Sequence, residues 1–251
     1  MQVPPGKKIY FLSDFHLGIP DASSSLSREK KIAAFLENIK ADAFMVFVLG
    51  DLFDFWFEYR KVIPKGYVRI LGKLAELTDA GIHVHFFVGN HDMWMSGYFE
   101  SELNIPVYYE HQSYLFNEKK FVIGHGDGLG PGDKGYKFLK QIFRNPFCKL
   151  LFGLIPPYFG ISLAEYFSKK SRIATGNTDD QFLGEENEWL LQFCKSELEK
   201  GHVDYFVFGH RHLPIDYSFD NHSRYVNIGD WIKYNSYAVF DGSQLKLIQQ
   251  T

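Results

Sequence analysis

Five short hydrophobic runs in this chain each end in a cluster of polar side chains that can bind metals. Runs of this length, rich in Val, Ile, Phe and Tyr and stopped by Gly, Asp or Asn, are typical of buried β-strands. Because a polar cluster follows each run, we expect all five clusters to meet at one edge of a sheet. The runs are IYFLS before Asp14 and His16, FMVFVLG before Asp51, VHFFVG before Asn90, His91 and Asp92, FVIG before His125 and Asp127, and YFVFG before His210 and His212.

Length, charge and cysteine content limit the class of protein. The chain has 251 residues, is 45% hydrophobic and carries a net charge of −3. It is long enough for one large domain or two small ones, and its charge provides no general attraction to nucleic acid. Cys148 and Cys194 are too few for a disulfide framework, which indicates a reducing compartment. We expect neither a signal peptide nor a transmembrane helix, although attachment to a membrane surface stays open.

Strand and helix patterns alternate along most of the chain and are followed by strands alone. This order predicts a mixed sheet system covered by helices. The predicted helices are 28–40, 66–79 and 185–200. The predicted strands are 8–13, 43–49, 83–88, 120–124, 204–208, 215–219, 224–228, 236–240 and 244–248.

Residues 130–175, called here the inserted segment, break this pattern. They contain eight Lys or Arg against two Asp or Glu, and nine Phe or Tyr. Pro146, Pro156 and Pro157 predict that the segment is divided into short helices. Because it lies between two strands that carry motifs, we expect it near the mouth of the site. It is either a lid that handles lipid or an amphipathic helical hairpin packed on the core or on a second subunit.

The residue types in the five clusters suit a pair of divalent cations. Asp14 and His16 are two residues apart, so both can face one metal. Asp51 can bridge two cations through its two oxygens, and Asn90 offers a neutral oxygen ligand. Two cations about 3.5–4 Å apart can clamp a phosphate and lower the pKa of a water between them.

His91 follows a candidate ligand and can present its imidazole to a phosphoryl group. We expect it to stabilise charge on the phosphoryl oxygens or to protonate the leaving group. Asp92 is the candidate that holds the ring in its orientation. His91 and Asp92 are therefore the predicted catalytic residues.

The motifs resemble those of the calcineurin-like metallophosphoesterases, in the same order and from residue 14 to residue 212. The resemblance implies an α/β fold, a four-layer αββα sandwich. It implies one domain over residues 1–251, with residues 130–175 as a helical lid insertion, and two divalent metal ions, most often Mn²⁺. The matching motifs are Asp14-x-His16, Gly50-Asp51, Gly89-Asn90-His91-Asp92, Gly124-His125 and Gly209-His210-x-His212. The implied ligands are Asp14, His16, Asp51 and His212 for metal one, and Asp51, Asn90, His125 and His210 for metal two.

Within that family the chain is most similar to the UDP-2,3-diacylglucosamine pyrophosphatases of lipid A synthesis. This similarity implies hydrolysis of the lipidated sugar nucleotide to UMP and 2,3-diacylglucosamine 1-phosphate, with water attacking the α-phosphorus. It also implies a cytoplasmic protein bound peripherally to the inner membrane. The similar residues are 50–56, 125–127, Asp133, Tyr136, Ser171, Asn177 and 227–231. The implied substrate contacts are Asn90, His91, Asp133, Tyr136, Ser171, Asn177 and Arg211.

Several alternatives stay open on the sequence. His91 stands where the best-known branch carries arginine, so a different, soluble phosphodiester or phosphomonoester is an alternative substrate. A scaffold without activity is less favoured, because such relatives lose ligands and this chain keeps them all. Arg211 either contacts a substrate phosphate or is a surface charge. Asp54 and Trp56 either support the ligands or pack locally. Helix-cap or turn roles also suit four of the substrate candidates, Asp133, Tyr136, Ser171 and Asn177.

Overall fold

A computed structural model of the chain describes residues 1–132, 134–175, 181–220 and 222–250. The strands, numbered along the chain, are β1 Lys8–Leu12, β2 Ala43–Leu49, β3 His83–Phe87, β4 Val107–Tyr108, β5 Gln112–Phe116, β6 Lys119–Gly124, β7 Tyr205–Phe208, β8 Pro214–Ser218, β9 Arg224–Ile228, β10 Ser236–Phe240 and β11 Leu245–Gln249. The helices are α1 Ala22–Ile39, α2 Val68–Asp79, α3 Tyr98–Leu103, α4 Lys134–Arg144, α5 Pro146–Gly153, α6 Pro157–Thr175 and α7 Trp189–Leu198.

The strands form two sheets. The six-stranded sheet has the order β11-β10-β1-β2-β3-β4, and the five-stranded sheet has the order β5-β6-β7-β9-β8. Alternate residues of β1 serve different layers: Ile9 and Phe11 pack against the other sheet, whereas Tyr10 and Leu12 pack under α1 and α2. In β7, Val207 faces the first sheet, and Phe206 and Phe208 pack with α7. The layers are helices, sheet, sheet and helix, so the predicted αββα sandwich is confirmed.

The strand directions bring the five polar clusters together. β1, β2 and β3 are parallel in the first sheet, and β6 and β7 are parallel in the second. Parallel strands place their carboxyl ends at one edge of a sheet. The loops after β1, β2 and β3 therefore leave one sheet side by side, and those after β6 and β7 leave the other.

Most predicted elements are present, with ends that differ by a few residues. Helix α1 begins at Ala22, six residues before the predicted start, because Asp21 accepts a hydrogen bond from Ser24 N (2.9 Å) and caps it. β4, β5 and α3 were not predicted. β4 is too short, with two residues, to give a pattern in the sequence. β5 begins with the polar residues Gln112 and Ser113 and exposes Leu115, so it lacks the continuous apolar run of a buried strand.

The inserted segment forms α4, α5 and α6. α5 and α6 each begin at a proline, as the positions of Pro146 and Pro157 predict. Trp94 Nε1 donates to the carbonyl oxygen of Phe143 at 2.6 Å, and Lys149 Nζ donates to that of Met95 at 2.5 Å. These bonds hold the segment on the core. Within the described ranges, no helix is long and apolar enough to cross a membrane.

We expect Glu29→Ala to lower the free energy of unfolding by about 1–3 kcal/mol. The buried Glu29 of α1 accepts hydrogen bonds from Arg69 N (2.8 Å) and Ile70 N (3.1 Å) in the first turn of α2. Tyr67 at the start of that helix provides no side-chain cap, so these donors would lose their acceptor. Urea denaturation measures the change. Glu29→Gln keeps one acceptor oxygen and should lose less, and Lys31→Ala on the exposed face of α1 is the control. Equal stability of the two alanine variants would contradict this role.

Candidate metal centre

Five residues at the candidate site have left-handed backbone conformations. Their φ angles are 54° for Asp14, 42° for His16, 52° for Asp51, 71° for His210 and 52° for His212. Such a conformation costs a non-glycine residue on the order of 1 kcal/mol, although Asp and His tolerate it better than most. The chain therefore accepts strain where three of its strands end, and this strain is typical of functional sites.

Two motif glycines allow the loops to approach each other closely. A Cβ atom on Gly89 would overlap the Asp51 carboxylate, and one on Gly209 would overlap Ser13 and the Asp14 carboxylate. These overlaps involve buried groups that have no room to move. Glycine at position 89 thus allows two loops of the first sheet to meet, and glycine at position 209 allows a loop of the second sheet to meet the loop after β1.

Asp14, His16 and His212 form the first group of candidate ligands. Asp14 Oδ1 lies 3.6 Å from His16 Nε2 and 3.5 Å from His212 Nε2, and the two imidazole nitrogens are 3.1 Å apart. Asp14 Oδ1 is buried and has no hydrogen-bond partner among the described residues. A buried carboxylate oxygen without a partner is costly, and a cation at this point would satisfy it.

Asp51 connects this group to a second one. Its Oδ2 atom lies 3.5 Å from His16 Nε2 and 3.4 Å from His125 Nε2. On the far side, Asn90 Oδ1 lies 3.2 Å from His125 Nε2 and 3.0 Å from His210 Nδ1. The structure thus brings together all seven predicted ligands, and these carboxylate, imidazole and amide donors fit a pair of divalent cations.

Burial and the charges within the cluster shift the pKa values of its side chains. Burial opposes the ionisation of Asp14, but His212, His16 and His125 together outweigh it and lower the pKa of Asp14 to about 2. Burial disfavours the charged form of His125, but Asp51 raises the pKa of His125 to about 10. Burial and the nearby His125 lower the pKa of His210 to about 4. Without a cation, a proton on His125 offsets carboxylate charge, and a bound cation would replace that proton.

Three candidate ligands present their second ring nitrogen to an acceptor. His125 Nδ1 lies 2.7 Å from Leu49 O, His212 Nδ1 lies 3.3 Å from Asp230 Oδ2, and His16 Nδ1 lies 3.6 Å from Asp54 Oδ1. Such contacts orient a ligating imidazole and select its tautomer. The role of Asp230 was not predicted, although the residue lies in one of the similar stretches.

Arg28 of α1 binds the backbone of the loop after β1. Its buried guanidinium donates to the carbonyl oxygens of Phe15 (2.7 Å), His16 (2.7 Å) and Ile19 (2.6 Å). These bonds fix the backbone that carries Asp14 and His16. Sequence reasoning missed Arg28, because a charged residue in an amphipathic helix carries no signal that it points inwards.

The predicted pairing of His91 with Asp92 is wrong. The Asp92 carboxylate accepts hydrogen bonds from Gly89 N and Leu52 N, both at 2.8 Å, so it joins two loop backbones. Burial and the nearby Asp51 raise the pKa of Asp92 to about 7. His91 Nδ1 instead lies 2.9 Å from the carbonyl oxygen of Asp54 and 3.6 Å from its carboxylate. Asp54 therefore faces the ring that Asp92 was expected to orient.

Two of the predicted substrate contacts lie near the cluster. Tyr136 donates a hydrogen bond to Asp127 Oδ2 at 2.5 Å, and its ring centre is 6.5 Å from that of His210. Arg211 makes a two-point ion pair with the buried Glu188, with both distances 3.0 Å. This pair ties Arg211 to the start of α7. Contact of either residue with substrate stays a prediction.

Three other predicted contacts cannot be placed by side chain. Asp133 and Asn177 lie outside the described residues. Ser171 belongs to α6 by its backbone, and its side chain also lies outside the described part of the chain. Their contact with substrate stays a prediction.

Comparison with known proteins agrees with this geometry. The model of the calcineurin-like phosphoesterase family matches residues 7–214. A UDP-2,3-diacylglucosamine hydrolase of Porphyromonas gingivalis is 40% identical over 252 residues, which cover 96% of each chain. A UDP-2,3-diacylglucosamine hydrolase of Haemophilus influenzae is 28% identical and covers 90% of this chain and 92% of its own. One of Vibrio cholerae is 27% identical, with coverage of 92% and 93%. The chain therefore belongs to the calcineurin-like phosphoesterases and is a metal-dependent hydrolase.

Proposed function

We propose that the protein hydrolyses the pyrophosphate of UDP-2,3-diacylglucosamine and releases UMP and 2,3-diacylglucosamine 1-phosphate. One observation carries this assignment: the Porphyromonas relative with that substrate in its name is 40% identical along 96% of the chain. The contiguous cluster of candidate ligands supports hydrolysis of a phosphoester. The alternative substrate is a different, soluble phosphodiester or phosphomonoester.

We propose that the seven clustered side chains hold two divalent cations and that the metal is Mn²⁺. Asp51 would serve both ions because it lies between the two groups of ligands. Metal one would take Asp14, His16, Asp51 and His212, and metal two would take Asp51, Asn90, His125 and His210. When bound, the ions supply Lewis acids for the phosphoryl oxygens and lower the pKa of a water.

The chain's own residues would position the reacting phosphate. Water attacks the α-phosphorus, and the bond from that phosphorus to the bridging oxygen breaks, so the water oxygen ends in UMP. His91 lies within reach of His16 and Asp51, and 18% of its side chain is exposed. From this position its imidazole can stabilise the phosphoryl oxygens or give a proton to the leaving group.

The inserted segment suits the lipid half of the substrate, and we propose that it is a lid within a single domain. Phe152 of α5 packs against Phe55, Phe57 and Trp94 of the core, with ring centres 6.1, 4.8 and 4.6 Å away. Many other apolar side chains of α4–α6 are exposed, beside an excess of Lys and Arg. Such a surface matches acyl chains and anionic headgroups. We further propose a cytoplasmic protein bound peripherally to the inner membrane.

Phosphorus-31 NMR in water enriched in oxygen-18 tests the reaction. The Mn²⁺-loaded protein is incubated with UDP-2,3-diacylglucosamine, and the metal is removed before the spectrum is recorded. We expect UMP carrying the label, together with unlabelled 2,3-diacylglucosamine 1-phosphate. Hydrolysis of a chromogenic diester without turnover of the sugar nucleotide would instead favour the soluble substrate. Label in the lipid phosphate would contradict attack at the α-phosphorus.

We expect His125→Ala to lower kcat/KM by more than about 100-fold, since even the loss of residues that support a metal ligand costs about 10- to 100-fold. The bound metal should fall from two ions to about one per chain, measured by inductively coupled plasma mass spectrometry. His202→Ala, which removes an exposed imidazole away from the cluster, is the control. Near-normal activity and metal content in His125→Ala would contradict the two-metal assignment.

We expect the combined change of Leu150→Ser and Leu154→Ser to weaken binding to vesicles of phosphatidylethanolamine and phosphatidylglycerol by about 10-fold or more. The two leucines are four residues apart and 62% and 73% exposed, and each contributes about 1.5–3 kcal/mol when fully buried in lipid. Co-sedimentation measures the binding. Val68→Ser is the control, because Val68 is also 73% exposed but lies on α2. Equal binding of the variants would argue against membrane contact through α5.

A further inference from the structure

Ser168 brings helix α6 of the inserted segment into contact with the residues around His91. Its hydroxyl donates a hydrogen bond to Asp54 Oδ2 at 2.9 Å. The Ser168 Oγ atom also lies 3.4 Å from His91 Nδ1. Asp54 belongs to the loop after β2, and His91 belongs to the loop after β3. Three segments that are far apart in the sequence therefore meet at this point.

Asp54 determines how the His91 ring is held. The carbonyl oxygen of Asp54 lies 2.9 Å from His91 Nδ1, and because a carbonyl can only accept, Nδ1 is the donor. The carboxylate is buried, and its Oδ1 atom lies 3.6 Å from Nδ1 of both His91 and His16. Its other oxygen is the one that Ser168 binds. A shift of the carboxylate would thus change the surroundings of both imidazoles.

The adjacent turn of α6 faces the same carboxylate. Glu165 precedes Ser168 by three residues and therefore lies on the same side of the helix. Burial and the charge of Asp54 both raise the pKa of Glu165. At Gly160, a Cβ atom would overlap the hydroxyl of Tyr59, which lies in the loop after β2. These contacts indicate that α6 is seated closely on the loop that follows β2.

We propose that Ser168 is a positioning residue that couples the docking of α6 to the orientation of His91 through Asp54. This proposal takes the catalytic role of His91 from the proposed function. The coupling itself does not depend on which substrate is bound. The segment that would contact the acyl chains then also controls the group that faces the phosphoryl oxygens. His91 reaches its working orientation only when α6 lies on the core.

A double-mutant cycle of Ser168→Ala and His91→Ala tests the coupling. In the Mn²⁺-loaded protein we expect Ser168→Ala to lower kcat by about 10-fold with little change in KM, as for other residues that support a catalytic group. Ser168→Thr keeps the hydroxyl and should restore most of the rate. In the His91→Ala background the same change should cost less than about twofold, because the residue through which Ser168 acts is gone.

Ser162→Ala is the matched control. Ser162 lies on the same helix, is exposed, and donates a hydrogen bond within that helix to Tyr158 O at 2.8 Å. We expect its loss to leave kcat and KM unchanged. A rate loss from Ser168→Ala that is equally large in the His91→Ala background, or no loss at all, would overturn the proposal.

A readout without turnover separates this proposal from the proposed function. Proton–nitrogen NMR of the imidazole groups, recorded on the metal-free and the Mg²⁺-loaded protein, should show the His91 Nδ1–H signal shifted or broadened by Ser168→Ala and unchanged by Ser162→Ala. An unchanged signal in both variants would overturn the coupling. If the wild-type protein cleaves bis(p-nitrophenyl) phosphate but not the sugar nucleotide, the proposed function fails, and the same cycle measured on the diester still decides the role of Ser168.

Discussion

The Asp51 carboxylate is the contact on which the rest of the site depends. One of its oxygens lies about equally far from His16 of the first sheet (3.5 Å) and His125 of the second (3.4 Å), and the other accepts a hydrogen bond from His91 N at 2.9 Å. A single buried group therefore joins the loops of three strands. The two sheets must pack with their strand ends level, or these distances cannot be reached. The aromatic core between the sheets, in which Phe11 stacks on Phe47 and on Phe121, provides that alignment.

The same arrangement is costly for the folded protein. Buried carboxylates and left-handed backbone at Asp14, His16 and Asp51 each oppose folding. The hydrogen bonds of Arg28 and Asp92 to loop backbone offset part of this cost by fixing the strained segments. Cations that bind the folded cluster add stability by mass action. A bound cation would compensate the buried carboxylate charge, while the backbone strain is a fixed cost, and this suits a preorganised reaction centre better than a stable core.

The inserted segment differs from the sandwich in how much apolar surface it exposes. Its helices α4, α5 and α6 keep many apolar side chains in solvent, whereas apolar side chains of the sandwich are mostly buried. Its contacts with the core, among them those of Trp94, Lys149 and Ser168, leave no residue of α4 or α5 fully buried. Elements with few buried contacts are the ones that move most easily. The segment therefore combines an exposed apolar surface with a direct link to His91.

The sequence by itself determined nine of the eleven described strands and the candidate ligands, because apolar periodicity and a polar cluster after a strand are local properties. The four layers followed from the resemblance of its motifs to those of a known family. The sequence also predicted the helix breaks at Pro146 and Pro157. The tertiary structure decided which residues support those ligands: Asp54 rather than Asp92 beside His91, Arg28 behind the loop after β1, and Ser168 from α6. These contacts join segments whose relative placement depends on how two sheets and the inserted segment pack. Periodicity along the chain contains no information on the distance between such segments, so only the folded structure could reveal them.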